Sequence, residues 1–339
     1  MVDIPGWLWA ATIGLVVLLL VVDFVVAARR PHAVGIGEAT AWSVFYIGVA
    51  LAFGLAVWAV AGGTAALEYY GGWAVEKSLS VDNLFVFVII MSTFAVPPQH
   101  QQRALLFGIT VALAMRAVFI AIGAAAINLF SFTFVVFGLV LLWTAVSLFR
   151  HRNEDPDVTD NPVVRLFQRL LPATTEFHGG RLVATVDGKR VLTPLFLVFV
   201  AIGSTDLLFA LDSIPAVFGI TQHAFIVFAA NAFALLGLRA LYFLVEGLLE
   251  RLVYLATGLS IILAVIGVKL ILIFLHEDVS ESVPEIPTPL SLLIIVLVLL
   301  VTTVASIVRT RKHPEERAHA GALRRRRQAG AESATRERS

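Results

Sequence analysis

Apolar positions fill long uninterrupted runs of the chain, without the alternation of a half-buried strand or the one-sided stripe of a soluble helix, and polar residues collect in the gaps between runs. A helix needs roughly 20 such residues to cross about 30 Å of hydrocarbon. Runs of that length lie at about 7–28, 41–61, 73–95, 104–127, 130–149, 194–220, 224–249, 252–275 and 290–308. The pattern predicts an all-α integral membrane protein of about nine transmembrane helices. The first run is longer than a signal-peptide core and lacks a basic region before it, so it is read as a retained helix.

Charge placement then predicts the orientation. Of the 25 Lys and Arg, 21 fall in the connections after runs one, three, five, seven and nine, and none in the even-numbered connections. Basic residues stay on the cytoplasmic side, so the amino terminus is expected outside and the carboxyl terminus in the cytoplasm. The connection after run eight is acidic, with Glu277, Asp278, Glu281 and Glu285. With 59% apolar and 14% charged residues and a net charge of +1, the composition speaks against a soluble nucleic-acid binder. No cysteine is present, which removes disulfides, thiolate catalysis and sulfur-ligated metals.

Two polar pieces interrupt the pattern. Segment 150–193 opens with Glu154, Asp155, Asp157 and Asp160 and continues with an amphipathic stretch at 163–171, expected to lie on the membrane surface as a helix. It ends in a predicted hairpin, 182–186 and 189–192 around Asp187-Gly188. Segment 309–339, with four consecutive arginines at 324–327, is expected to be a disordered basic tail drawn to anionic lipid.

The chain also repeats itself. Glu76-Lys-Ser-Leu-Ser-Val-Asp82-Asn83 matches Asp206-Leu-Leu-Phe-Ala-Leu-Asp212-Ser213: an acid, five residues, an aspartate and a small polar residue. Met115-Arg116-Ala117 and Leu238-Arg239-Ala240 follow in the next run of each unit, and Phe137-Gly138 and Thr257-Gly258 are weaker third members. The organisation expected is two helices at 1–72, a three-helix unit at 73–149, the cytoplasmic loop 150–193, a second unit at 194–275, an external loop and ninth helix at 276–308, and the tail. An odd number of spans per unit makes the two units inverted, as in secondary transporters, whose sites lie at the repeat interface near the midplane.

Charged side chains inside the runs are Asp23, Glu76, Lys77, Asp82, Arg116, Asp206, Asp212, Arg239, Glu246 and Lys269. Each is costly in hydrocarbon. One reading pairs Asp82 with Arg116 and Asp212 with Arg239 as helix glue, but buried pairs seldom outperform apolar packing. Asp23 and Glu246, near run ends, are expected to reach water. Six residues on a helix are about 120° and about 9 Å apart, so Glu76 and Asp82 cannot share an ion unless the helix breaks. Asp82 and Asp212 can face one another across the pseudo-two-fold. Asn83 and Ser213 add neutral oxygens, and Pro215 leaves the carbonyl of Leu211 without its helical donor. Carboxylate, amide, hydroxyl and carbonyl oxygens without sulfur suit a hard cation such as magnesium, calcium or manganese. Lys77, Arg116, Arg239 and Lys269 would compensate charge or gate. The eight histidines all fall in connections or tails and form no metal-ligand spacing. No phosphate loop or nucleophile elbow is present, so no enzymatic activity is expected.

The segments Glu76 to Phe87, Asp206 to Phe218, Asn231 to Phe243 and Ile266-Gly-Val-Lys-Leu270 resemble the signature segments of the TerC family of integral membrane proteins, with weaker echoes at Ala41-Trp-Ser-Val-Phe45, Val96-Pro-Pro98 and Thr193-Pro-Leu-Phe196. The resemblance spans roughly 20–272. It implies a multi-pass protein of the bacterial inner membrane, tied to tellurium resistance, in a family with manganese exporters. The family's acids fall here on Glu76, Asp82, Asp206 and Asp212, with Asn83 and Ser213 beside them. Two positions depart from the family: Gly203, where relatives often carry glutamate, and Ala145-Val-Ser147, where span eight has Gly267-Val-Lys269. The function expected is export of Mn2+ through Asp82 and Asp212, with Asn83 and Ser213 flanking and Glu76 and Asp206 as outer ligands or proton carriers. No permanent cofactor is expected. The expected partners are the cation, lipid and a cytoplasmic protein at 150–193. The rival readings are another cation or an oxyanion held by Arg116 and Arg239, and a non-transporting membrane scaffold.

Overall fold

The computed structural model describes residues 5–29, 34–151, 166, 182–186, 189–245 and 253–312. Its helices are α1 (Gly6–Arg29), α2 (Ile36–Thr93), α3 (Pro98–Leu129), α4 (Thr133–Arg150), α5 (Pro194–Phe218), α6 (Ala224–Leu235), α7 (Leu238–Val245), α8 (Leu255–Phe274) and α9 (Thr288–Lys312). A single π turn, Leu275–Val279, extends α8. Among the described residues, seven helices are long and apolar enough to cross a membrane, or eight when α6 and α7 count as one bent span. The chain is an all-α membrane protein.

Helix α2 contains two of the predicted runs. Gly62 interrupts it with φ 88° and ψ 175°, a backbone that only glycine adopts without strain. The Tyr69 hydroxyl donates to the Ala50 carbonyl at 3.0 Å and Tyr70 to Leu51 at 2.7 Å. Nineteen residues of straight helix rise about 28 Å, well beyond a tyrosine's reach. The two arms of α2 therefore fold back on one another at Gly62. Tyr70 packs where a side chain at Gly54 would otherwise sit.

The second departure is in the seventh run. What reads as one apolar stretch is two short helices, α6 and α7, bent by 40° at Leu236-Gly237. Gly237 has φ +81°, and a Cβ there would lie 2.7 Å from the Cβ of Tyr46. From Phe225 to Leu235 every residue of α6 is buried, so this element forms the centre of the molecule. The second arm of α2 packs along it, and α3 packs on α5 through stacked Phe107 and Phe199 rings 4.2 Å apart. Helices α4 and α8 cross most closely: a Cβ at Gly138 would lie 2.7 Å from the carbonyl oxygen of Gly267, and one at Gly267 2.9 Å from that of Gly138. Gly258, matched to Gly138 by sequence, instead packs on Thr302 of α9.

Outward-facing apolar side chains such as Leu55, Trp58, Val118, Ile122, Leu300 and Val301 are more than half exposed, as lipid-facing positions require. The hairpin strands form as predicted, β1 (Val183–Val186) antiparallel to β2 (Lys189–Leu192) with Val186 opposite Lys189. Asp187-Gly188, the acidic patch, the amphipathic stretch apart from helical and exposed Leu166, Glu246 and the tail beyond Lys312 lie outside the described residues.

Candidate functional site

Among the described residues, the polar side chains within the helical body include a cavity group and groups built around Arg116 and Arg239. The first is a cavity of about 290 Å3 with Asp82 and Asn83 of α2, Asp212 of α5, and Thr144, Ser147 and His151 on or just beyond α4 in its wall. Leu79, Leu148, Phe209, Leu259 and Leu263 supply most of the apolar wall. The two aspartates matched by sequence thus face one space. Pro215 sits inside α5 without ending it, three residues beyond Asp212. Ser213 is buried with no hydrogen-bond partner for its Oγ, and lies outside the cavity lining. Neither aspartate enters an ion pair among those of the described residues, where Glu76, Asp206 and Asp23 are the acids engaged.

The second group centres on Arg116 of α3, which is fully buried. Its Nη1 donates to Glu76 Oε1 and, at 3.0 Å, to Asn231 Oδ1 of α6. Its Nε and Nη2 donate to Asp206 Oδ2 and Oδ1 at 3.3 and 3.2 Å, a two-point grip. One guanidinium thus binds the first acid of both matched sequence motifs, and the second oxygen of Glu76 is left buried without a partner. This corrects the pairing of Arg116 with Asp82. The planar fork of arginine satisfies two carboxylates at once, and Asp82 lies six residues along the helix from Glu76, on another face.

Arg239 departs from the expected pattern in the same way. It reaches away from Asp212 to Asp23 of α1 at 2.7 Å and to Gln102 Oε1 at 3.2 Å, with its guanidinium 5.8 Å from the Trp42 ring. Asp23 is 3% exposed, so it is not a residue reaching water from a helix end; an uncompensated carboxylate there would be costly, and Arg239 supplies the charge. Lys77 donates to the Ala234 carbonyl at 3.0 Å, at the end of α6 where the break at Leu236-Gly237 releases carbonyls from helical bonding. Lys269 donates to Thr288 Oγ1 and Ser291 Oγ at 3.3 Å each, tying α8 to α9. The matched arginines therefore do different work: Arg116 joins α3 to the acids of α2 and α5, whereas Arg239 ties α7 to α1.

Among the described residues no group of three or more His, Asp or Glu is arranged to hold a metal ion. What faces the cavity is a pair of carboxylates with neutral oxygens, the donor chemistry that hard cations prefer. Sequence reasoning did not single out Asn231, whose only signal was its place at the start of the family-like segment Asn231 to Phe243. It assigned His151 to a plain connection, whereas the structure sets it in the cavity wall one turn beyond Ser147. The break in the seventh run had one visible signal, Gly237 in mid-run.

Comparison with known proteins agrees with the resemblance. The sequence pattern of the Integral membrane protein TerC family matches residues 61–314. An uncharacterized membrane protein of Mycobacterium tuberculosis is 45% identical over 313 residues, covering 89% of this chain and 79% of its own length. One from Myxococcus xanthus is 40% identical over 316 residues, 93% of this chain and 96% of its own. A protein of Photorhabdus laumondii, Alx, whose name proposes a membrane-bound redox modulator, is 35% identical over 300 residues, 85% of this chain and 93% of its own. No solved structure matches. Matching helices, repeated acid motifs and these relatives lead to one assignment: the chain belongs to the TerC family of integral membrane proteins.

Proposed function

We propose that this protein is a secondary transporter that exports divalent manganese across the bacterial cytoplasmic membrane. The observation that carries the reading is the convergence of Asp82 and Asp212, from two helices alike in sequence, on one cavity in a membrane protein. Charged groups at membrane depth line substrate or ion pathways far more often than they serve packing. A pair of carboxylates with Asn83 and the hydroxyls of Thr144 and Ser147 offers oxygen ligands to a partly hydrated Mn2+, with Ser213 a further oxygen after a local shift of α5.

Counting each arm of α2 as a span and α6 with α7 as one gives nine, with the amino terminus outside and the carboxyl terminus inside. The cavity then reaches the cytoplasmic end of α4, which is where an exporter loads. Two inverted units, 73–149 and 194–275, meet at Arg116 and at the Gly138–Gly267 crossing. The Glu76–Arg116–Asp206 triad carries one formal negative charge more than its arginine neutralises. That surplus of acids at membrane depth motivates proton antiport; transport indifferent to a collapsed pH gradient would sink that part. An oxyanion substrate is the weaker reading, because Arg116 and Arg239 already hold carboxylates.

The test is cellular manganese, with other metals read in the same sample, in a manganese-stressed strain that lacks its exporters. It carries wild type, Asp82→Asn or Asp212→Asn at matched membrane abundance. Lower manganese with wild type alone supports the two-aspartate export site. Unchanged manganese, or variants that export as well as wild type, overturns it.

A further inference from the structure

One polar row in the cavity wall ends in a histidine that the export reading leaves without a role. Thr144, Ser147 and His151 recur on α4 at spacings of three and four, which places them on one face of the helix. That face lines the cavity and ends at His151, exposed just beyond the last residue of α4. The row is a ladder of one nitrogen and two oxygens between water and the carboxylates.

The imidazole is set in a definite state. His151 Nδ1 lies 2.8 Å from the Ser147 carbonyl oxygen. A carbonyl oxygen only accepts, so Nδ1 carries the hydrogen, and in the neutral ring the lone pair belongs to Nε2. A histidine whose Nδ1 donates to a backbone carbonyl is the arrangement that orients Nε2 as a metal ligand. His276 is tethered in the same way, with Nδ1 2.8 Å from the Val283 carbonyl, but stands at the opposite end of α8 from the cavity residues Leu259 and Leu263. Tethering alone is therefore not the signal; tethering at the mouth of a carboxylate cavity is.

We propose that His151 is the entry ligand of the cavity, its Nε2 taking a divalent first-row transition ion from water and passing it along Ser147 and Thr144 to Asp82 and Asp212. The inference rests on the cation-transport reading. It adds a selectivity step to that reading. Asp82, Asp212 and the neutral oxygens accept calcium and magnesium as readily as manganese, whereas an imidazole nitrogen adds affinity only for the transition ion. Because no three-ligand cluster joins His151 to both aspartates, it acts before them as a separate station.

The experiment uses the purified full chain in liposomes, with Mn2+ and Ca2+ transport measured over a concentration series for wild type, His151→Ala, His151→Glu, His276→Ala and Asp82→Asn. Expected is an apparent KM for Mn2+ raised about tenfold in His151→Ala, the size typical of losing one group that orients or assists a metal site. The maximal rate and the KM for Ca2+ should stay at wild-type values, and His276→Ala should match wild type. His151→Glu should restore Mn2+ affinity and lower the KM for Ca2+, which a merely structural histidine would not do. An unchanged Mn2+ KM in His151→Ala, with transport lost in Asp82→Asn, overturns the entry ligand and leaves the export reading standing. A wild type that moves neither ion overturns both.

Discussion

Arg116 on α3 holds Asp206 on α5 through two hydrogen bonds of 3.3 and 3.2 Å while it also binds Glu76 on α2 and Asn231 on α6, so one fully buried guanidinium fastens four helices. Removing the cation leaves two carboxylates in a dry interior. Arg116→Met is expected to destabilise the fold by about 3–5 kcal/mol, and Arg116→Lys, which lacks the planar fork, to recover only part of it. Thermal unfolding of detergent-purified protein checks this. The triple variant Glu76→Gln, Asp206→Asn, Arg116→Met should regain most of the lost stability, because no unpaired charge remains.

Asp23 and Arg239 predict a similar effect at a distant place. Their 2.7 Å pair is buried and joins α1 to α7. Asp23→Asn should lower stability by a few kcal/mol, seen as a lower unfolding temperature and faster proteolysis of α1. Transport per folded molecule should be retained, since neither residue lines the cavity.

The aspartates of the cavity should behave in the opposite way. Asp82 and Asp212 enter no ion pair among those of the described residues, so Asp82→Asn and Asp212→Asn break none on folding. Both variants are expected to unfold within about 1 kcal/mol of wild type and yet to lose transport. Unfolding temperature and metal flux, measured on the same preparation, separate these outcomes from those at Arg116.

Gly237 is expected to tolerate no side chain. At φ +81° an alanine costs about 1–2 kcal/mol in backbone strain, and its Cβ would sit 2.7 Å from the Cβ of Tyr46. Gly237→Ala should therefore reduce folded yield, and Tyr46→Ala should not rescue it, because the nearest clashing atom is retained. Gly203, inside α5, is the control. A Cβ there meets only Val111 at 3.8 Å, so Gly203→Ala should be neutral.

The α4–α8 crossing gives a prediction that links packing to transport. Gly138 and Gly267 let the two backbones meet, and the cavity wall includes Ser147 from one helix and Leu263 from the other. Gly138→Val should push the helices apart and lower stability by about 1–3 kcal/mol. The loss of metal flux should exceed the loss of folded protein, because the displaced helices carry the cavity lining.

Hydropathy and charge in the sequence by themselves determined that this is a membrane protein and approximately where its helices lie, and the sequence alone shows that two acid-containing motifs match one another. Those are local properties: a helix in lipid satisfies its own backbone, so about 20 apolar residues suffice to specify a span. Hairpin strands β1 and β2 were legible for the same reason, since neighbours in sequence pair across a two-residue turn. Tertiary structure alone decided the partners. Pairing of Asp82 with Arg116 and of Asp212 with Arg239 was the rival, glue reading of those charges, yet buried charges choose the geometry that compensates most unpaired charge, and Arg116 could satisfy two carboxylates 40 and 90 residues away. The fold-back of α2 at Gly62 and the break at Gly237 each depend on one glycine with positive φ, a freedom that composition shows but does not place. His151 looked like any loop histidine until α4, α2 and α5 converged, because a cavity is a relation between elements and none of them encodes it alone.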